Sequence, residues 1–304
     1  MRTAVDLNEQ FNVPMFGQGR NGMTRALLEV SGRQVEVYPH GAHVTRFEKV
    51  AEPPILFLSK ASLFQPGKAI RGGVPVIFPW FGPRQDDPTG KSPMHGFART
   101  IEWTVESVRA TTNLQSVSLA LHSDDATRAQ WPFEFKLTYT VTLDADRLRM
   151  ELAVTNHDRK PFKFEEALHT YFAVSDVRNV TVEGLADTAY IDKVDRFARK
   201  RQDLAPIRIT GETDRIYLDT RAACTIRDPG HHRRIVVEKE NSDSTVLWNP
   251  WIAKSKAMAD FGDDEWPNML CIETCNVNAN AVTLAPGASH VMRATIRTEP
   301  GPTI

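Results

Sequence analysis

The clearest strand pattern in the chain is KFEEALHTYF, residues 163–172. Apolar side chains recur at a spacing of two, which predicts the buried face of a β-strand; they are Phe162, Phe164, Leu168 and Phe172. Successive strand residues point to opposite sides, so the second face carries Lys163, Glu165, Ala167, His169 and Tyr171. The pattern predicts one wall of a polar pocket, with His169 in the middle of that wall.

Short segments of the same kind occur along the whole chain and predict an all-β fold. The best formed are residues 26–30, 34–38, 135–143 and 148–156, each bounded by turn residues. Helical periodicity is confined to short pieces at 59–64, 124–130 and 252–258. No linker or composition shift divides the chain. We therefore expect one large antiparallel β-sandwich domain over residues 26–304, with a few short helices, after a lead-in segment at 1–25.

Composition and charge narrow the possible partners. The 304 residues are 41% hydrophobic and 25% charged, with a net charge of -1, so no broad basic surface predicts nucleic-acid binding. The N-terminus lacks the apolar core of a signal peptide, and no apolar run predicts a membrane span. Three cysteines without metal-binding spacing are typical of reduced thiols. We expect a cytoplasmic monomer that binds a small molecule.

A long loop, residues 66–99, is the first candidate for a substrate-binding wall. It is rich in Gly and Pro, yet its segment 74–81 is too apolar for a flexible linker. An ordered loop of this length within a domain is usually functional. It contains Arg71, Arg84 and Arg99, and guanidinium groups bind phosphate or carboxylate through paired hydrogen bonds. Simple solvation of each arginine is an equally good interpretation of the pattern alone.

Glu273 is the second candidate for acid–base chemistry. In the predicted strand 269–277 it shares a face with Met269, Cys271, Cys275 and Val277. A carboxylate among apolar neighbours costs free energy unless it is paired, so Glu273 is either a bonded structural residue or a functional one. Loss of hydration would raise its pKa toward the range of a general base.

Five motifs then occur in an order that resembles a known family. They are RGGVPVIFPWFG (71–82), MHGFAR (94–99), LHTYF (168–172), VLWNPW (246–251) and CIE (271–273). The chain resembles the glucose-6-phosphate 1-epimerases, or hexose-6-phosphate mutarotases, of the aldose 1-epimerase superfamily, from about residue 26 to 298. The resemblance implies a galactose-mutarotase-like β-supersandwich. It also implies an isomerase that interconverts the α and β anomers of a hexose 6-phosphate, with glucose 6-phosphate the first candidate.

The resemblance also implies the site residues. His169 is expected to be the general acid and Glu273 the general base. The expected substrate-binding residues are Arg71, His95, Arg99 and Asp214. Met94 stands where some relatives carry Gln, which puts one polar contact to the sugar in doubt. No metal and no organic cofactor is expected.

The implied chemistry agrees with these residue types. Mutarotation needs a base for the C1 hydroxyl and an acid for the ring oxygen, and a carboxylate and an imidazolium supply both. We expect Glu273 to start ionised and His169 protonated, each stabilising the charge of the other. Glu165 and Glu166, although close to His169 in sequence, are expected to have supporting or structural roles.

Three other functions stay open at this point. The first is an aldose 1-epimerase for unphosphorylated sugars, which the arginine-bearing loop disfavours. The second is a sugar-phosphate-binding protein without catalysis, which would not need an acid–base pair. The third is a metalloenzyme with His95, His169 and Glu273 as ligands. Whether Arg84 contacts a phosphate is also open.

Overall fold

The fold is known from a computed structural model that describes residues 2–87 and 90–301. The first half contains α1 (Ala4–Phe11), β1 (Phe16–Gln18), β2 (Thr24–Val30), β3 (Arg33–Tyr38), β4 (His43–Lys49), β5 (Val76–Ile77), β6 (Thr104–Ala110), β7 (Leu114–His122), α2 (Asp125–Gln130), β8 (Phe135–Asp144) and β9 (Arg147–Asn156). Then follow β10 (Phe162–Phe164), β11 (Glu166–Leu168), β12 (Tyr171–Ala173), β13 (Thr181–Glu183), β14 (Ala189–Asp192), β15 (Ala198–Arg201) and β16 (Thr213–Tyr217). The last are β17 (Cys224–Asp228), β18 (Arg233–Glu240), β19 (Ser244–Asn249), α3 (Trp251–Lys256), β20 (Met269–Asn276), β21 (Val282–Leu284) and β22 (Ser289–Pro300).

Two eight-stranded antiparallel sheets account for most of the described strands. Sheet I has the order β15-β14-β16-β19-β20-β11-β5, with β12 also paired to β20. Sheet II has the order β13-β17-β18-β22-β9-β8-β7-β6, and β1 to β4 form a smaller sheet. Apolar side chains from all three sheets form one buried cluster. The predicted all-β sandwich with short helices is therefore confirmed.

The sequence pattern of individual strands explains their places in these sheets. β8 alternates buried and partly exposed residues along its whole length, as expected for a strand with one face on the core. β20 is buried at every position, because it lies inside sheet I with both faces covered. This burial is what removes the Glu273 carboxyl group from water.

The predicted continuous strand over residues 163–172 is wrong, because the chain changes partners from β21 to β20 after Phe164 and the strand is interrupted again at residues 169–170. β10 pairs with β21 in a separate two-stranded sheet, and Lys163 is exposed there. The Glu165 carboxylate accepts the backbone N–H groups of Phe81 and Asn278 at 2.8 and 2.6 Å. Neither side chain lies on a wall shared with His169, and Glu165 has the structural role that was expected of it.

Helices are short in the described part of the chain, and two of the three predicted pieces are present as α2 and α3. The predicted helical piece at 59–64 is wrong. Ser59 instead donates its hydroxyl to Glu265 and its backbone N–H to Arg71, and these distant contacts hold the segment as a turn. None of the described helices is long and apolar enough to cross a membrane.

The lead-in segment packs on the main core where it is described. Leu7 in α1, Met15 and Phe16 are buried, and Phe16 pairs with Ala26 between β1 and β2. The predicted division of the chain at residue 26 stays a prediction.

The loop at 66–99 is ordered by backbone contacts in its described part. Gly73 and Val74 donate their N–H groups to Phe57 and Val44. Gly96 has φ +69°, and a Cβ there would lie 1.9 Å from the carbonyl oxygen of Phe78, so only glycine fits. The loop can therefore hold its arginines and histidine in fixed positions beside sheet I.

Candidate active site

His169, between β11 and β12, lies opposite Glu273 on β20 of sheet I. Leu168 pairs with Thr274, and Tyr171 pairs with Cys271, so one unbroken register runs past the gap between β11 and β12. His169 Nε2 lies 3.2 Å from Glu273 Oε1. The two residues are 7% and 1% exposed, respectively. Sheet register thus brings together two residues that are far apart in sequence.

The same register extends across the sheet and builds one wall of a cleft. The row of neighbours runs from Tyr171 through Cys271 and Trp248 to Asp214. Lys193 follows β14 and donates its backbone N–H to the Asp214 carbonyl. The loop at 66–99 forms the facing wall, lined by Arg71, Phe81, Gly82, Pro83, Met94, His95 and Arg99. The enclosed cleft has a volume of about 350 Å³, large enough for a monosaccharide phosphate.

A larger groove, of about 620 Å³, crosses the small N-terminal sheet. Four of its five charged side chains are paired with each other, Arg25 with Glu36 and Arg46 with Glu48. It lacks a pair of buried acid–base groups, so the cleft at His169 is the better candidate for chemistry.

Aromatic rings hold the His169 imidazole in place. The Tyr171 ring stacks on it with centroids 4.8 Å apart and an interplanar angle of 13°, and Trp248 meets it edge-on at 5.9 Å. The Tyr171 hydroxyl accepts a hydrogen bond of 3.0 Å from Arg71 Nη1. His169 Nδ1 and Glu273 Oε2 have no hydrogen-bond partner within the described residues. Both atoms are therefore buried polar groups with unused hydrogen-bonding capacity.

His95 lies at the same cleft in a defined tautomer. Gly82 donates its backbone N–H to His95 Nδ1 at 3.1 Å, so a neutral ring carries its proton on Nε2. Burial and the nearby charge of Arg99 lower the pKa of His95 well below its ordinary value. Its ring centroid is 5.6 Å from that of His169. His95 therefore offers a neutral N–H donor to a bound molecule.

The electrostatics of the His169–Glu273 pair differ from expectation. Burial, followed by the charges of Arg99 and Arg71, lowers the pKa of His169 well below its ordinary value. Burial and the charge of Asp214 raise the pKa of Glu273 well above its ordinary value. Both pKa shifts favour the uncharged forms of His169 and Glu273, so the prediction that the two residues form an ion pair at rest is wrong. Loss of hydration and the neighbouring charges outweigh the mutual attraction of the two groups.

Arg71 and Arg99 both reach the cleft, with different bonds. Arg71 donates to Tyr171 and, through Nη2 at 3.1 Å, to Asp260, and these partners outweigh burial and raise its pKa. Arg99 is 8% exposed and donates to the Met94 carbonyl at 2.7 Å. Burial and the charge of Arg71 lower the pKa of Arg99 to about 10, so both guanidinium groups are charged at neutral pH. The structure places both predicted arginines in one cleft.

Asp214 lines the cleft beside two cations that the sequence patterns did not indicate. Its carboxylate lies 3.0 Å from Lys193 Nζ and 3.9 Å from Lys254 Nζ. Lys193 lies in a turn, and its proximity to Asp214 arises only from the pairing of distant strands. Arg84 lies outside the cleft, where it bonds to Asp86 at 2.7 Å and covers the Trp80 ring.

Cys271, two residues before Glu273, was not predicted from the sequence as a site residue. The Cys271 sulfur atom lies with His169 and Glu273 in a group whose ligand atoms are all within 4.8 Å of one another. The metal set considered from sequence contained His95 in place of Cys271. A signal was available, because Cys271 and Glu273 share a strand face at a spacing of two.

A sugar-sized cleft with a buried acid–base pair, on a two-sheet β-sandwich, defines an enzyme of the mutarotase-like class. The family model for aldose 1-epimerase matches residues 26–297, and the chain belongs to that family. The predicted family resemblance and isomerase class are therefore confirmed.

Individual relatives agree with this assignment. A protein of Salmonella typhimurium, provisionally named glucose-6-phosphate 1-epimerase, is 32% identical over 90% of this chain and 92% of its own length. A protein of Cenchrus ciliaris with the same provisional name is 36% identical over 83% of this chain and 77% of its own. The crystal structure of a Salmonella typhimurium protein, described provisionally as a mutarotase, superimposes with a TM-score of 0.84 at 29% identity. That comparison covers 97% of this chain and 99% of the other.

Proposed function

We propose that this protein interconverts the α and β anomers of a hexose 6-phosphate, with glucose 6-phosphate as the first candidate. The observation that carries the proposal is the buried His169–Glu273 contact of 3.2 Å at the base of a sugar-sized cleft. The provisional names of the relatives agree with this reaction. His169, Glu273, Arg71, His95, Arg99 and Asp214 are the proposed site residues.

The reaction needs two proton transfers, one on each side of C1. Glu273 takes the proton of the C1 hydroxyl, while His169 gives a proton to the ring oxygen and the bond between C1 and that oxygen breaks. The open-chain aldehyde then rotates about the bond between C1 and C2. Ring closure on the opposite face of the carbonyl reverses both transfers and regenerates the two side chains.

The resting protonation of the pair is consistent with these roles. The uncharged pair and the ion pair carry the same single mobile proton and differ by its transfer across 3.2 Å. The charges of Arg99 and Arg71 disfavour the imidazolium form of His169. A bound phosphate offsets those charges, so an anionic substrate favours the ion pair that the reaction uses.

The charge of the cleft supports a phosphorylated substrate. Four cationic side chains line it, those of Arg71, Arg99, Lys193 and Lys254, against the two acids Asp214 and Glu273. A cleft with excess positive charge attracts an anion and strengthens its binding. An unphosphorylated aldose would gain nothing from this excess.

Anomer-exchange NMR on glucose 6-phosphate and on glucose tests the substrate. We expect Arg99→Met to lower kcat/KM for the phosphorylated sugar by about 10- to 100-fold, the cost of a charge-assisted hydrogen bond, and to change exchange of free glucose little. Arg84→Met is the matched control, because Arg84 belongs to the same loop but bonds away from the cleft. Equal losses on both sugars would contradict phosphate recognition and favour the unphosphorylated aldose.

We further infer a cytoplasmic monomer. All three cysteines are buried and free, which supports a reducing compartment. Sedimentation equilibrium of the purified protein is expected to give the mass of one chain, and a dimer mass would contradict the inference.

A further inference from the structure

Cys271 is a buried nucleophilic group that the proposed reaction does not use. It lies two residues before Glu273 on β20 and pairs across the sheet with Tyr171 and Trp248, which both line the cleft. Its side chain is fully buried. A sulfur atom in this position adds a third ligand type to the imidazole and carboxyl groups above it.

The three groups have the spacing of an incomplete metal site. Their ligand atoms all lie within 4.8 Å of one another, and the imidazole nitrogen and carboxylate oxygen are 3.2 Å apart. In a tetrahedral zinc site, metal bonds of about 2.0–2.3 Å place neighbouring ligand atoms roughly 3.3–3.6 Å apart. Glu273 Oε2 is buried and lacks a partner among the described residues. A small shift of the Cys271 side chain would complete three corners of a tetrahedron.

We propose that His169, Cys271 and Glu273 bind a thiophilic divalent cation of the Zn²⁺ type, with the fourth position open to the cleft. Nitrogen, thiolate and carboxylate ligands with one open position form a common zinc donor set. The bound cation occupies the lone pairs that His169 and Glu273 need for proton transfer. The site is therefore inhibitory, and the cation competes with the sugar.

The cationic surroundings do not prevent this binding, because two of the three ligands are anionic when they bind the cation. The Cys271 thiolate and the Glu273 carboxylate together match the charge of Zn²⁺, so the complex has no net charge. No oxidation or reduction is involved. Hard cations such as Mg²⁺ prefer oxygen ligands and gain little from a thiolate.

Cobalt spectroscopy on the whole protein tests the site without relying on turnover. With one equivalent of Co²⁺, we expect the wild type to show a near-ultraviolet band from thiolate-to-cobalt charge transfer, which one equivalent of Zn²⁺ removes. Cys224→Ala, which changes a buried thiol on β17 of sheet II, is expected to keep the band. Cys271→Ala and the similarly sized Cys271→Ser are expected to lose it. No band in the wild type, or an unchanged band in both Cys271 variants, would overturn the proposal.

Anomer exchange under added metal tests the inhibitory effect. We expect Zn²⁺ to inhibit the wild type and Cys224→Ala. Cys271→Ala is expected to need at least about tenfold more Zn²⁺ for half-inhibition. Loss of a residue that only supports a metal ligand already lowers metal affinity by about tenfold or more, and loss of a ligand should cost at least as much. Mg²⁺ at the same concentrations is expected to have no effect, which excludes chelation of the sugar phosphate. Equal Zn²⁺ sensitivity with and without Cys271 would overturn the proposal. The cobalt band does not depend on turnover, so it reports on the metal site even if the protein is not an epimerase.

Discussion

Two histidine–carboxylate pairs lie on opposite faces of sheet I, and their carboxylates come from the paired strands β11 and β20. The first is the cleft pair, His169 and Glu273, at 3.2 Å. The second is the inter-sheet pair, Glu166 and His290, at 2.9 Å. Glu166 pairs in register with Asn276 and faces β22 of sheet II, where His290 lies. The same two residue types, at nearly the same distance, therefore occur in two different environments, the cleft and the space between the two sheets.

The surrounding groups give the two pairs opposite protonation. In the inter-sheet pair, burial disfavours the charged imidazole, yet the hydrogen bond and charge of Glu166 raise the pKa of His290. Asn276 also donates to Glu166, at 2.8 Å. In the cleft pair, burial and two arginines lower the pKa of His169. The charges around a pair thus decide whether it is a structural ion pair or a reactive one with a mobile proton.

Activity is the largest expected difference between the pairs. Glu273→Gln removes the base and is expected to lower the anomer-exchange rate by about 10²- to 10⁴-fold. Glu166→Gln, the same change three residues before His169 on the partner strand, is expected to leave the rate within a few fold. His169→Ala should match Glu273→Gln. Full activity of either cleft variant, measured by exchange NMR, would contradict the assigned roles.

Stability should show the reverse order. Glu166→Gln leaves His290 without its charged partner, so the free energy of unfolding is expected to fall by about 1–3 kcal/mol. The raised pKa of His290 adds stability below the ordinary histidine pKa and loses it as pH rises through the raised value. The wild type and the variant should therefore converge toward alkaline pH in urea denaturation. A constant difference at every pH would contradict the ion pair.

Glu273→Gln is expected to have a smaller and opposite effect on stability. Because the pKa of Glu273 is raised in the folded state, its ionisation opposes folding as pH rises above the ordinary value of 4.5. The neutral amide lacks this loss, so its free energy of unfolding should equal or exceed that of the wild type by up to about 1 kcal/mol at neutral pH. Urea denaturation of the two proteins at matched pH measures this. A large loss of stability would indicate a structural carboxylate.

The smallest expected effect on activity concerns Tyr171→Phe. The ring that stacks on His169 stays, but the acceptor of the Arg71 hydrogen bond is lost. We expect kcat/KM for glucose 6-phosphate to fall by a few fold up to about tenfold, the usual value of one hydrogen bond. Tyr217→Phe, which removes a hydroxyl bonded to Gln202 away from the cleft, is the control. Equal effects of the two changes would remove Tyr171 from the site.

Local patterns predicted the strands that have one simple environment. β8 and β9 alternate along their full length, and their sequence alone indicates two paired strands. The segment at 163–172 has the same pattern but contains three strands. The prediction failed there because alternation cannot show where a chain changes its pairing partner or where pairing is interrupted. The helical piece at 59–64 failed for a similar reason, since Glu265 and Arg71 bind Ser59 from distant parts of the chain.

The residues of the candidate site likewise divide into those that a local sequence pattern predicted and those that depend on contacts between distant segments. Motifs indicated His169, Glu273 and the two arginines, because each stands in a distinctive local sequence. Lys193 and the inter-sheet partner of Glu166 depend on strand register, which no local pattern contains. The protonation of the cleft pair depends on burial and on Arg99, and neither can be read from the segment around His169.

Nitrogen-15 NMR of histidine-labelled protein tests most directly whether the two pairs carry opposite charges. Spectra recorded through the neutral pH range, and assigned with His169→Gln and His290→Gln, report the protonation of each ring. We predict that His290 titrates above the ordinary histidine pKa, while His169 stays neutral throughout the range in the free enzyme. A His169 ring that is charged at neutral pH, or that titrates together with His290, would contradict the account.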